Sequence, residues 1–159
     1  MTAKVVGDLD VMAARLAAAG CVAARAEAAA IADLAPDADT ADAWVRRRQR
    51  GEPLSWITGS TLFCGRRVHV GPGVYEPRAQ TEMLARRAAG LLPRGGIAVD
   101  VCTGAGAVAA HLSVDVPTAV VVGTDIDPVA ARCARRNGVH TVVADIAGSL
   151  RPRRGADVV

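Results

Sequence analysis

Three acids stand within or at the ends of apolar runs. Asp100 lies within Ile97–Val101, Asp125 closes the run that starts at Ala119, and Asp145 follows Val139–Ala144. Between the first two lies Thr103-Gly104-Ala105-Gly106, and Ala107–Leu112 then runs at helical propensity. An apolar parallel strand, a glycine turn and a helix open a nucleotide-binding βαβ unit. Glycine suits positions 104 and 106 because a Cβ there would push a ligand off the backbone and strain the turn. Asp125 comes 19 positions after Gly106, at a strand's carboxyl end. An acid so placed accepts hydrogen bonds from the 2′- and 3′-hydroxyls of a ribose.

As a bare pattern, Gly104-x-Gly106-x-x-Ala109 fits dinucleotide-binding folds and class I methyltransferases alike, and it also fits a glycine turn with no ligand. Asp100, four residues before Gly104, separates them. A pyrophosphate on a helix N-terminus is repelled by a carboxylate at the strand tip. S-adenosylmethionine carries no phosphate; its methionine end is a zwitterion beside a sulfonium and accepts an acid there. The residues favour S-adenosylmethionine over NAD.

The elements that hold these residues fit into 159 residues, enough for one domain and a small appendage. Hydrophobic residues make up 51% and charged residues 22%, a globular composition. Aromatics are only 3%, which removes base stacking as a main binding mode. Lys4 is the only lysine among 19 basic residues, and alanine is abundant. That pairing resembles GC-rich coding bias, so the net charge of +3 says little about nucleic acid. No apolar run reaches the ~18 residues of a membrane span. The start of the chain lacks a signal-peptide core. Cys21, Cys64, Cys102 and Cys133 are widely spaced, which predicts reduced, mostly buried thiols in a cytoplasmic protein and no zinc site.

Along the chain, Asp8 can cap a helix with Leu9, Met12, Ala13 and Leu16 on one face, ended by Gly20. Ala23–Leu34 is a second helix, stopped by Pro36, and Asp39–Gln49 a third, capped by Asp39 or Thr40. Arg46-Arg47-Arg48-Gln49-Arg50 closes it. Solvated arginines at a helix C-terminus are the simpler reading; contacts to RNA or an acidic protein are the other. Gly51–Glu82 shows no helical period. Thr61–Phe63 and Val68–Val70, joined by Gly65-Arg66-Arg67, predict a hairpin with a dry valine face and His69 on the wet one. Thr81–Leu92 is a helix. Asp127-Pro128 starts another, which Asn137-Gly138 stops. His111 and His140 lack metal-ligand partners at useful spacing and read as structural.

From Arg50 onward the motifs become specific. Arg50-Gly51-Glu52-Pro53-Leu54-x-Trp56-Ile57-x-Gly59, Phe63-x-Gly65, Pro72-Gly73-Val74, Pro77-Arg78-x-x-Thr81-Glu82 and the glycine loop occur in order. They resemble the HemK/PrmC family, which methylates a glutamine side-chain amide in peptide chain release factors. The resemblance implies a partial class I methyltransferase: a Rossmann-like parallel α/β sheet at 79–159, after a helical segment at 1–50 and a hairpin linker at 51–78. It implies S-adenosyl-L-methionine held by Asp100, Thr103, Gly104, Ala105, Gly106, Asp125, Ile126, Asp145 and Ile146, the last two beside the adenine. It places Arg78 on the substrate side and a release factor as partner. Trp56, Val68, Glu76, Ala79, Gln80 and Cys102 depart from the usual wording, Cys102 replacing the loop's first glycine.

Ala156–Val159 reads as the start of a fourth strand, preceded by the basic stretch Arg151–Gly155. In the family that strand runs into Asn-Pro-Pro-Tyr, which orients the acceptor amide. The tetrapeptide is absent from this sequence, so no catalytic residue is assigned. The expectation is a truncated and inactive chain, a non-catalytic remnant, or one half of a sheet completed by a C-terminal partner chain. A nucleic-acid N6-adenine-type methyltransferase is the remaining alternative.

Overall fold

A computed structural model describes residues 7–146 and separates into two units, Met1–Gly59 and Ser60–Val159. Arg151–Gly155 and the expected strand at Ala156–Val159 lie outside the described residues.

The first unit is helical: α1 Leu9–Ala18, α2 Ala24–Leu34, α3 Ala38–Gln49 and α4 Leu54–Thr58. Asp8 caps α1, accepting from the Asp10 and Val11 amides. Leu16, Ala28, Ile31 and Val45 are fully buried and form the core with Met12, Ala24, Ala35 and Ala41. Two details differ from the sequence reading. The α3 cap is Asp37, whose carboxylate accepts from Thr40 N–H; the helix begins at Ala38, so Asp39 already sits in the first turn, where its charge favours the dipole. Pro53 opens the unforeseen α4, which Gly59 ends in a left-handed conformation (φ 77°). Five residues are too few to show a hydrophobic period.

The arginine cluster is internally paired. Arg46 bonds Asp42, Arg47 bonds Glu52, and Arg48 Nε lies 2.6 Å from Glu27 Oε2. The acids come from α3, the turn after it and α2: the first two pairs are local to α3 and its end, and the third ties α3 to α2. That leaves the nucleic-acid reading little free charge at this place.

In the second unit, β1 Ser60–Phe63 and β2 Arg66–His69 form an antiparallel hairpin. The turn is the pair Cys64-Gly65, both left-handed (φ 49° and 73°), so Arg66 and Arg67 belong to the strand. Such a turn matches strand twist; a cysteine rarely marks one, which hid it. Val68 and Val70 are buried as predicted, and Arg66 and Arg67 are exposed.

Helix α5 Thr81–Leu91 leads to β3 Ile97–Val101, α6 Ala107–Asp115, β4 Val120–Asp125, α7 Pro128–Arg136 and β5 His140–Val143. The three later strands form a parallel sheet in the order β3-β4-β5. Asp100 pairs with Gly123, and Asp125 with Val143. Asp127 caps α7 with Pro128 in its first turn. Ala98, Val121, Ala109, Leu112, Ala134 and Val139 make the helix–sheet core. This is a partial Rossmann-like α/β sheet after a helical segment and a hairpin. Its parallel strands bring the residues after β3, β4 and β5 to one carboxyl edge, where such sheets bind ligands.

Candidate functional site

The glycine loop follows from the local sequence. Cys102, Gly104 and Gly106 take φ 59°, 57° and 78°. The left-handed backbone at 102 is the physical reason a glycine suits that place; Cys102 carries the strain instead. The two loop glycines do different work. A Cβ on Gly106 would lie 2.8 Å from Ala134 Cβ and 3.0 Å from Val139 Cγ2, so this glycine lets α7 pack under the loop. A Cβ on Gly104 would meet nothing within 4 Å; Gly104 faces open space.

Two carboxylates hold the loop. Asp100 Oδ2 accepts from Thr103 Oγ1 at 2.6 Å and from Ala109 N–H at 3.1 Å. Ala109 is the third residue of α6, whose N-cap Gly106 has no side chain to offer, so Asp100 supplies the cap from the neighbouring strand. Asp125 Oδ2 accepts from Gly104 N–H at 2.8 Å, and its Oδ1 from Asp127 N–H at 3.0 Å. Gly106 N–H donates to Thr103 O at 2.7 Å. The amides of Gly104, Gly106 and Ala109 are therefore taken up by the protein's own acceptors. Burial pushes the Asp100 carboxyl above its ordinary range; the Thr103 and Ala109 hydrogen bonds oppose that, and the nearby Asp125 charge adds to it.

A cavity of about 290 Å³ opens over this loop. Asp100, Thr103, Gly104 and Ala105 line it on one side, and Phe63, Tyr75, Pro77 and Arg78 on another. Arg78 Nε donates to the Tyr75 hydroxyl at 3.0 Å, and its guanidinium lies 5.0 Å from the Tyr75 ring centroid. Tyr75 is otherwise exposed.

Of the sequence-predicted site residues, Asp100, Thr103, Gly104, Ala105 and Arg78 share this cavity. Gly106 lies beneath it, and Asp125 is joined to it through Gly104 N–H. Ile126, Asp145 and Ile146 follow β4 and β5 at the same carboxyl edge and are not part of the cavity lining; Ile126 and Ile146 are exposed.

Several contributors escape the sequence reading. Gly123 leaves room for Thr103, because a Cβ there would lie 2.9 Å from Thr103 Oγ1; a glycine inside an apolar strand is the signal for such an approach. Tyr75 stands in a segment without periodicity. Cys102 lines the cavity and is exposed, against the expectation of mostly buried thiols; the left-handed loop turns it outward. His111 is buried in α6, and neither ring nitrogen has a hydrogen bond among the described residues, although Nδ1 lies 3.5 Å from Asp115 Oδ1. No described helix is long and apolar enough to cross a membrane.

No protein-family model matches the chain. Its relatives do. A 4-amino-L-phenylalanine/4-methylamino-L-phenylalanine methyltransferase of Streptomyces pristinaespiralis is 39% identical, over 68% of this chain and 39% of its own length. The release factor glutamine methyltransferase of Neisseria gonorrhoeae is 41% identical, over 61% and 36%. That of Koribacter versatilis is 36% identical, over 74% and 45%. The chain thus spans less than half the length of these curated relatives. Among solved structures, a Plasmodium falciparum protein described as a putative protein-L-isoaspartate O-methyltransferase aligns at TM-score 0.41 and 13% identity, covering 86% of this chain and 64% of that one.

Proposed function

We propose, for a chain whose matched span places it in the HemK/PrmC family, that the glycine-loop cavity holds S-adenosyl-L-methionine and that the activity built on it is methyl transfer to an acceptor nitrogen. The observation that carries the reading is electrostatic. A diphosphate needs free amide donors and no nearby negative charge. Here the Gly104, Gly106 and Ala109 amides already have acceptors, two of them carboxylates. The same arrangement suits a cationic, phosphate-free ligand.

Each residue then has a role, drawn from its chemistry at the loop and, for Ile126, Asp145, Ile146 and Arg78, from what the family resemblance implies. Asp100, on the cavity wall, attracts the ammonium of the methionine end. Gly104 leaves space for close approach. Asp125 retains lone pairs for the ribose hydroxyls, since a carboxylate has about four acceptor positions. Ile126 flanks the same region, and Asp145 and Ile146 meet the adenine. Thr103 and Ala105 shape the loop, and Arg78 faces the acceptor. S-adenosyl-L-methionine supplies an electrophilic methyl group when bound. No residue here is assigned to orienting the acceptor nitrogen. A release factor glutamine is the acceptor the family suggests. The arginine pairs in the bundle argue against a nucleic acid.

Titration calorimetry with S-adenosyl-L-methionine tests this on the whole chain. Asp125→Ala should weaken binding by about tenfold or more, the scale of lost charge-assisted hydrogen bonds, and NAD should neither bind nor compete. Tight NAD binding by the wild-type chain would overturn the reading.

A further inference from the structure

Asn137 closes α7, and the sequence gives it only the job of stopping that helix. Its carboxamide does more. Oδ1 accepts from His69 N–H at 2.8 Å, while Nδ2 donates to His69 O at 2.9 Å and to Ala105 O at 2.7 Å. One acceptor and two donors are all used. Toward β2 the side chain makes the two-point pairing that a neighbouring strand would make. Toward the glycine loop it holds the carbonyl between Gly104 and Gly106. His69 O also accepts from Cys133 Sγ at 3.4 Å, one turn back on α7.

One of these partners lines the cavity and the other leads into it: Ala105 is among its lining residues, and His69 precedes the segment that forms the facing wall. Beyond His69, the chain passes through buried Val70 and Val74 to Tyr75, Pro77 and Arg78. Ala105 is on the opposite wall. Gly106 meanwhile rests against Ala134 of the same helix. We infer that Asn137 is a positioning residue, pinning the hairpin strand and the glycine loop to a single point at the end of α7 and so presetting the cavity for its cofactor. This rests on the S-adenosyl-L-methionine reading above. Asn137 does not line that cavity; its effect on affinity comes from preorganising the walls. Only a carboxamide of this length has the required donor and acceptor pattern. A carboxylate in its place would confront two carbonyl oxygens with negative charge, so the near-isosteric Asn137→Asp should fare no better than Asn137→Ala.

The test uses the full chain and three variants: Asn137→Ala, Asn137→Asp, and Val116→Ala as a stability control in the α6 core. Well below all melting temperatures, amide hydrogen exchange should accelerate about tenfold at His69 and over 104–107 together in both Asn137 variants. S-adenosyl-L-methionine should bind them about tenfold more weakly, by loss of preorganisation. Val116→Ala should lower the melting temperature, yet keep its affinity within about twofold and its loop exchange unchanged. Wild-type affinity in Asn137→Ala, or exchange that rises at His69 alone, overturns the inference. If the wild-type chain itself fails to bind, the cofactor reading falls with the affinity claim. The exchange measurement still decides whether Asn137 couples the two walls.

Discussion

Ile31 and Val142 are both β-branched aliphatic residues in regular structure, yet Ile31 is fully buried and Val142 is 51% exposed. The contrast holds for the units around them. The helical unit closes its core around Leu16, Ala28, Ile31 and Val45 and pairs its arginines with its own acids. In the sheet unit the helices cover Ala98 and Val121, while Val120, Val142 and Val143 remain exposed, as do Met83, Leu84 and Leu91 on α5. Parallel sheets ordinarily bury both faces. The lesson is that one chain carries two regimes. In the bundle, single side chains carry stability. In the sheet unit a buried core around Leu112 and Val121 is joined by the glycine loop and its hydrogen bonds, while the exposed apolar side chains contribute little.

The sharpest way to break the comparison is Ile31→Ala, which should cost the helical unit about 2–5 kcal/mol by cavity formation. Trp44 and Trp56 are the only tryptophans, and both lie in this unit, so their emission during denaturation reports it selectively. An unchanged midpoint would show the bundle core to be slack.

Next in size is Gly106→Ala. It combines a left-handed φ with a 2.8 Å clash against Ala134 and should cost about 2–4 kcal/mol, the range for overpacking plus backbone strain. Gly104→Ala meets no neighbour and should cost only about 1–2 kcal/mol from φ alone. Chemical denaturation followed by far-ultraviolet dichroism ranks the two; a reversed order would remove the distinction between packing and open glycine.

Acid separates two places by sign, the paired acids of the bundle and Asp100 beneath the glycine loop; Glu82 on α5, held low by hydrogen bonds from Cys64 and Arg86, behaves like the bundle acids. In the bundle, the hydrogen bond from Arg15 holds Asp42 below its ordinary value of 3.8, and that from Arg47 holds Glu52 below 4.5. Groups lowered on folding stabilise above their unfolded values, and that contribution is lost as pH falls through and below them. Asp100 is raised above 3.8, chiefly by burial. Its folded form holds the proton more tightly, so its contribution declines as pH rises from 3.8 toward the folded value and recovers on acidification. Tryptophan emission should therefore report loosening of the bundle between about pH 5 and 3, while Asp100→Asn removes the opposing contribution of Asp100 itself. Parallel responses at both places would contradict the sign difference.

The smallest effect is the counterpart of the first. Val142→Ala removes a half-exposed side chain and should change stability by no more than about 0.5 kcal/mol. A loss matching that of Ile31→Ala would mean that this strand is covered in solution.

Features encoded in neighbouring residues are legible in the sequence. The apolar runs ending at Asp100 and Asp125, the Asp8 and Asp127 caps and the glycine loop are all of this kind. Asn137, Gly123 and the Arg48–Glu27 pair depend on partners 68, 20 and 21 positions away respectively, which no local pattern reveals. The Cys64-Gly65 turn and α4 are hidden differently: an unusual residue occupies a left-handed position, and a five-residue helix has no period to read. Of the site, the loop and Arg78 on the second wall are readable, and Tyr75 beside Arg78 is not.

The outward turn at Cys102 provides a chemical handle. It is the one exposed thiol among the four cysteines; Cys21 and Cys64 are half-buried and Cys133 is buried. A maleimide should therefore alkylate it first. Because this sulfur borders the cavity, the alkylation rate becomes an occupancy gauge that needs no methyl acceptor and no turnover.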